Sequence, residues 1–225
     1  MENLDYKVLY ELQDRVLEIV FNTEREFYLT GGTCLSRFYF EKRYSDDLDF
    51  FTNQSPRYYF AYKNIVSELS KIFQVSHEVE AKEFHRIKIE KTLIVDFVND
   101  SSIRYKDPIF LPNKMIIDNI ENILSNKLTA IMGRDNPKDI FDVYLICSFY
   151  NFDWNMIIET AQKKLLFNMD DLIVRLKTFP YSLLGNIKIK DPNFLSNFDV
   201  HYKNMIEEIK NKSEHIAISD PNSHE

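Results

Sequence analysis

Thr30-Gly31-Gly32-Thr33-Cys34-Leu35 and, eight residues further on, Arg43-Tyr44-Ser45-Asp46-Asp47-Leu48-Asp49-Phe50-Phe51 decide the fold. The chain of 225 residues has only four glycines, and two of them are adjacent here. A residue without Cβ is used where the backbone must turn sharply or approach another group closely. Phe27-Tyr28-Leu29 reads as a short strand entering the pair. Thr33 onward, through Leu35, Phe38 and Tyr39, reads as a helix leaving it. A strand, a glycine turn and a helix start leave unpaired N–H groups and the positive end of the helix dipole aimed at one place, which favours a phosphate. On this reading Gly31 and Gly32 let phosphate approach and the Thr33 hydroxyl assists. The alternative is a tight strand-to-helix turn and nothing more.

Leu48 to Phe51 reads as a second strand. Asp47 and Asp49 stand two residues apart and point to one side of it, while Leu48 and Phe50 point to the other. Two unit charges about 4 Å apart repel by roughly 4 kcal/mol at an effective dielectric near 20. A hard divalent cation, Mg²⁺ or Mn²⁺, relieves that repulsion, and Mg²⁺ commonly binds through one or two carboxylates plus substrate phosphates. Asp46 alternates to the other face and is read as solvated or capping. Ser45 and Arg43 would add a hydroxyl and a positive charge near the phosphates, or else belong to a surface turn.

Phe84–Ile89 alternates, and Leu93–Val98 is apolar except for Asp96; the two are read as a hairpin. A lone carboxylate in an apolar strand is costly unless it is paired or bound to metal. Two readings are open: an ion pair with an Arg or Lys, or a third metal ligand beside Asp47 and Asp49. Three such acids can hold two metal ions about 3.5–4 Å apart.

Elsewhere the pattern is helical. Leu9–Val20 is an N-terminal packing helix, and Ser55-Pro56 opens another, with Ser55 as N-cap. Past Leu111-Pro112-Asn113 strand signals fade, and helices are expected over 117–132, 137–149, 156–166, 170–176 and 200–209. The expected organisation is a mixed α/β domain over 1–112, a helical bundle over 113–211 and a frayed tail over 212–225. The fold class is α+β: a small mixed β-sheet flanked by helices, followed by an α-helical bundle. Lys127 lies at the edge of an apolar stripe, where it either snorkels or offers a point charge to a phosphate. In Arg134-Asp135-Asn136-Pro137-Lys138-Asp139-Ile140-Phe141-Asp142, Asn136, Pro137 and Asp139 are helix-start chemistry. Asp142, one turn on, is expected to orient Lys127 or Arg134.

Composition narrows the partners. A net charge of −7 argues against nonspecific binding to long nucleic acid, which needs many phosphate contacts, but allows one RNA on a local basic patch. No apolar run approaches the roughly 20 residues of a membrane helix, so no membrane partner is expected. Met1-Glu2-Asn3-Leu4-Asp5 lacks the layout of a secretory leader, and Cys34 and Cys147 have no metal or redox spacing. A cytoplasmic protein with reduced thiols is expected. The five histidines lack ligand spacing, and none is assigned to catalysis. Arg57-Tyr58-Tyr59-Phe60 stacks bases or packs a helix.

Gly31-Gly32-Thr33-x-Leu35 followed by Arg43-x-Ser45-x-Asp47-x-Asp49-Phe50 resembles the signature of the AbiEii/AbiGii toxin family, within the polymerase-β-like nucleotidyltransferase superfamily. Lys127 and Lys138-Asp139-Ile140-Phe141-Asp142 resemble that family's lysine-bearing helix and its following acidic segment. The resemblance covers about residues 26–147. It implies a cytoplasmic enzyme of a bacterial two-gene system that uses NTP and Mg²⁺, pairs with an antitoxin protein, and in some relatives modifies tRNA. It implies that Gly31, Gly32 and Thr33 hold phosphate, that Asp47 and Asp49 bind metal with Asp96 as third acid, and that Lys127 and Asp142 complete the site. Transfer of a nucleoside monophosphate to an acceptor is the activity expected. The rivals are transfer to a small molecule such as an aminoglycoside, and a non-catalytic nucleotide-binding or protein-interaction module.

Overall fold

The computed structural model describes residues 5–218. The chain divides into two compact units, one of 1–38 with 44–119 and one of 39–43 with 120–225.

The first unit is a sheet covered by helices. Helix α1 (Tyr6–Thr23) is capped by the Asp5 carboxylate, which accepts from the Lys7 and Val8 N–H groups. It buries Leu9, Val16, Leu17, Val20 and Phe21, and it extends the helix expected over 9–20 at both ends. Strand β1 (Tyr28–Thr30) runs directly into α2 (Gly31–Phe38). Strand β2 is Leu48–Asn53 and helix α3 is Tyr58–Ser70. Strands β3 (Val75–Ala81), β4 (Phe84–Ile89) and β5 (Leu93–Asp100) follow. Two short strands, β6 (Ile109–Phe110) and β7 (Ile116–Ile117), close the unit. The order across the sheet is β3-β4-β5-β2-β1-β7-β6.

The sheet is mixed: β2 runs parallel to β5 and β1 parallel to β7, while the other neighbours are antiparallel. Along β2 the residues alternate buried and half-buried, so Leu48 and Phe50 enter the core while Asp49 stands on the opposite face. The core is aromatic: the Phe50 and Phe97 rings stack at 5.3 Å, and Phe27 and Tyr62 meet Phe97 edge-on at 5.2 and 5.4 Å.

Two expectations need adjusting here. Ser55 does not cap α3 itself; its hydroxyl accepts from Arg57 N at 3.1 Å and shapes the turn that precedes the helix. Strand β3 was not anticipated, because it sits at the sheet edge with six of its seven residues exposed and carries no apolar alternation. Such polar edges discourage pairing with other chains.

The second unit is helical: α4 (Ile120–Gly133), α5 (Pro137–Phe149), α6 (Trp154–Lys164), α7 (Met169–Thr178) and α8 (Phe198–Asn211), with two 3₁₀ segments between α7 and α8. Helix α5 opens as its sequence dictates, with the Asn136 side chain accepting from Lys138 N and Pro137 at its first position. Every residue from Asp139 to Phe149 is buried, which marks α5 as the central helix of the unit. The stretch from Lys212 is not frayed over its described part. Strand β9 (Glu214–His215) pairs with β8 (Phe152–Asp153), and His215 is buried between Glu208 and the Cys147 carbonyl. A buried histidine with a partner on each ring nitrogen anchors this segment despite its polar composition. Residues 219–225 lie outside the described residues.

Candidate active site

The first unit carries a row of four side chains across four adjacent strands. In register, Arg86 on β4 stands opposite Asp96 on β5, Asp96 opposite Asp49 on β2, and Asp49 opposite Thr30 on β1. Neighbouring strands lie about 4.8 Å apart, so the two carboxylates are held side by side by the backbone itself. Asp47 precedes β2, and its charge, like those of Asp49 and Asp96, acts on the Arg86 guanidinium. The Asp47 backbone carbonyl accepts from the Thr33 hydroxyl, which also lies 2.8 Å from Ser45 Oγ.

Gly31 opens α2 with φ +71°, a conformation that side-chain-bearing residues rarely adopt. A Cβ placed there would lie 3.2 Å from Asp49 Cγ and closer still to Oδ2. The glycine therefore does two jobs: it turns strand into helix, and it makes room for the Asp49 carboxylate against the turn. The phosphate-favouring helix start and the acid strand meet at this contact.

Thr33 and Ser45 are buried, with Thr33 fully enclosed. Ser45 N–H donates to Tyr10 Oη at 3.1 Å, and its carbonyl accepts from Gln13 Nε2 at 3.1 Å. In this structure the Thr33 hydroxyl ties α2 to the loop that carries Asp47, with Ser45 Oγ beside it. Asp46, expected to be solvated or capping, instead accepts from the Tyr6 hydroxyl at 2.6 Å.

Asp96 is ion-paired in this structure. Arg86 Nε and Nη2 each donate to one Asp96 oxygen at 2.7 Å. Those hydrogen bonds hold the Arg86 guanidinium charged, above its ordinary value; burial opposes them, while the charges of Asp96, Asp47 and Asp49 reinforce them. Among the described residues no three carboxylates, histidines or cysteines form a cage for a metal ion on their own. The donor set present is Asp47 and Asp49, hard oxygens at a glycine-opened helix start. It fits a divalent cation of the kind that takes its remaining ligands from substrate phosphates and water.

Missed by the sequence reading is a second polar group on β1. The Thr30 hydroxyl donates to Asp118 Oδ2 at 2.6 Å, and Arg104 Nη2 donates to Asp118 Oδ1 at 2.5 Å with its guanidinium 3.8 Å from the centre of the Tyr28 ring. Nothing local marks Arg104 or Asp118, which lie in loops with no periodicity. Cys34 is fully buried beside Asp118, and burial pushes its thiol well up, so it is no nucleophile. In Arg57-Tyr58-Tyr59-Phe60 the packing reading holds for Tyr58, which is buried and donates to the Phe97 carbonyl, while Tyr59 and Phe60 are exposed.

Arg43, Lys127 and Asp142 come together in the second unit. Arg43 Nε and Nη2 donate to the two oxygens of Asp142 at 2.7 and 2.8 Å. Lys127 Nζ lies 2.6 Å from Asp142 and 2.9 Å from Asp139, and Arg134 closes the group on Asp139 at 2.7 Å. Arg43 and Lys127 were expected near phosphates; the carboxylates of α5 hold them instead. Burial alone would push the Asp142 carboxyl up, but Arg43 and Lys127 outweigh it and hold the group below its ordinary 3.8. Asp139 is likewise held low against burial by Lys127 and Arg134. Asp142 therefore orients Lys127 as expected, while Arg134 goes to Asp139.

The model of the family described as nucleotidyl transferase AbiEii toxin, type IV TA system, matches residues 15–220, and the chain belongs to that family. The Aquifex aeolicus protein aq_aa25 is 27% identical over 146 residues, which are 62% of this chain and 66% of that relative. Two Helicobacter pylori structures share the fold. JHP933 matches with TM-score 0.55 and 18% identity over 93% of this chain and 96% of its own. A second, described as a "putative nucleotidyltransferase", matches with TM-score 0.58 and 18% identity over 93% of this chain and 98% of its own. Among the described residues no helix is long and apolar enough to cross a membrane.

Proposed function

We propose that this protein transfers a nucleoside monophosphate from an NTP to an acceptor hydroxyl or phosphate, in a reaction dependent on a divalent cation, as the toxin of a toxin–antitoxin pair. The observation that carries the reading is the seating of Asp49 against Gly31, which brings a metal-binding carboxylate and a phosphate-favouring helix start to one point. Family membership supports nucleotidyl transfer and an antitoxin partner. The triphosphate lies at the α2 start, where the unpaired N–H groups and the helix dipole take up its charge.

An acceptor oxygen forms a bond to the α-phosphorus, the bond from that phosphorus to the β-phosphate's bridging oxygen breaks, and pyrophosphate leaves. Asp47 and Asp49 hold the divalent cation, Mg²⁺ or Mn²⁺, which when bound offsets the charge of the carboxylates and the phosphates. Asp96, placed next to Asp49 by the strand register, takes the acceptor's proton or serves as a further metal ligand once Arg86 no longer holds its two oxygens. Catalysis is positioning plus charge neutralisation, with no covalent enzyme intermediate. Arg43, Lys127 and Asp142 serve the second unit as its buried ionic framework. RNA, tRNA among it, is the acceptor class we favour, approached through a local contact because the chain as a whole is acidic.

The test is a transfer assay with each NTP labelled at the α-phosphorus, Mg²⁺ and total cellular RNA, run beside an Asp47→Ala/Asp49→Ala control. A discrete labelled RNA that disappears in the control establishes the reaction and identifies nucleotide and acceptor. Binding of NTP that needs no cation and survives Asp47→Ala would favour a non-catalytic module instead.

A further inference from the structure

We propose that Arg86 is the resident counter-ion of the carboxylate face and lowers its affinity for a divalent cation until substrate arrives; this rests on the metal-site reading of Asp47 and Asp49. Arg86 engages both oxygens of Asp96 through two donors at 2.7 Å, in the parallel arrangement that makes Arg–carboxylate pairs strong. It stands at the end of the row Arg86–Asp96–Asp49–Thr30, on the flank of the acids away from the glycine turn.

Exposure separates the two partners. The Arg86 side chain is 39% exposed and that of Asp96 12%, so the guanidinium can swing into solvent while the carboxylate stays on its strand. Charge points the same way. Asp47, Asp49 and Asp96 bring three negative charges to one face, and all three act on the Arg86 guanidinium. One guanidinium cancels one of those charges and occupies the oxygens that would otherwise make Asp96 a third ligand. A cation then meets a face with two carboxylates at its disposal, the case in which Mg²⁺ relies on substrate phosphates to complete its shell. An incoming triphosphate, rich in acceptor oxygens, offers Arg86 another partner and so frees Asp96.

The experiment is a titration of the nucleotide-free, full-length protein with Mn²⁺, followed by electron paramagnetic resonance of the free ion. It is run on wild type, Arg86→Gln, Arg86→Lys and Asp47→Ala/Asp49→Ala, each checked by thermal melting. Removing a positive charge within a few ångströms of the site should tighten Mn²⁺ binding about tenfold in Arg86→Gln. Arg86→Lys, which keeps the charge, should stay near wild type. Unchanged or weaker binding in a folded Arg86→Gln protein, with wild type binding and the double alanine variant not, overturns the Arg86 proposal and leaves the metal site standing. Equal binding by wild type and the double alanine variant overturns both, and no binding even in Arg86→Gln overturns the Arg86 proposal.

Discussion

Arg43 grips Asp142 through two parallel hydrogen bonds of 2.7 and 2.8 Å, and neither side chain is more than 2% exposed. The two residues are 99 positions apart in sequence. Breaking one partner out of such a pair leaves the other charge buried without compensation, at a cost of about 3–5 kcal/mol. Asp142→Ala should therefore lower the unfolding free energy by that amount in urea titrations, and more than Asp14→Ala, whose carboxylate is 59% exposed in its pair with Arg37. Equal losses in the two variants would show that the buried network contributes little.

The same network sets an acid limit. The Asp139 and Asp142 carboxyls are held below 3.8, their ordinary value. A group depressed on folding adds stability that is present above its unfolded pKa and disappears as pH falls through the folded one. Unfolding free energy should hence fall as pH drops below about 4, with a shallower slope in Asp139→Asn. Lys127 is shifted the other way: burial opposes its charge, but Asp142 and Asp139 raise it above 10.5. Its contribution is complete below 10.5 and fades only as pH rises beyond, so stability should show no loss from Lys127 between pH 5 and 9.

Gly31→Ala tests the contact between turn and acid. Its φ of +71° and the nearness of Asp49 leave a Cβ nowhere to go. The left-handed conformation costs a residue with Cβ about 1–2 kcal/mol, and Asp49 must shift as well. The variant should stay folded by circular dichroism yet lose nucleotidyl transfer by at least tenfold. Gly185→Ala, where a Cβ meets open space, is the matched control and should retain activity.

Asp49→Asn keeps the size of the side chain and removes its charge. Because the position is half-buried on the open face of β2, melting should change by no more than a few degrees while transfer is abolished. Full activity in this variant would end the metal-site reading.

The sheet-and-bundle plan was legible because Leu48/Phe50 and Phe84–Ile89 alternate cleanly, and because Asn136-Pro137 announces α5. The Asp49–Asp96 adjacency was within reach too, since both acids sit in short apolar strands. The Arg86–Asp96 pair was also encoded. A hairpin turning over Glu90 and Lys91, both with positive φ, pairs Phe84 with Val98 and hence Arg86 with Asp96. What could not be read were the partners made by distant chain segments. Arg43 looked like a surface turn residue because Asp142 is remote, and Ser45 looked like a ligand contact because nothing local shows that Tyr10 and Gln13 enclose it. The edge strand β3 stayed hidden because an exposed strand leaves no apolar alternation to detect.

Residues 39–43 belong with the helical unit although 38 and 44 belong with the sheet. Arg43 forms a bridge with Ile189, and Lys190 N–H donates to the Lys42 carbonyl at 2.8 Å. A ribosome making this chain therefore releases the loop between α2 and β2 long before the segment that receives it exists. The sheet's own strands can pair early, but the piece of backbone leading to Ser45 and Asp47 acquires its final anchor only when residue 190 has emerged. Cutting the gene at residue 119 would yield two fragments, one with a dangling Arg43 and the other with Asp142 short of its guanidinium partner, so Arg43 and its receiving segment have to be expressed as one piece.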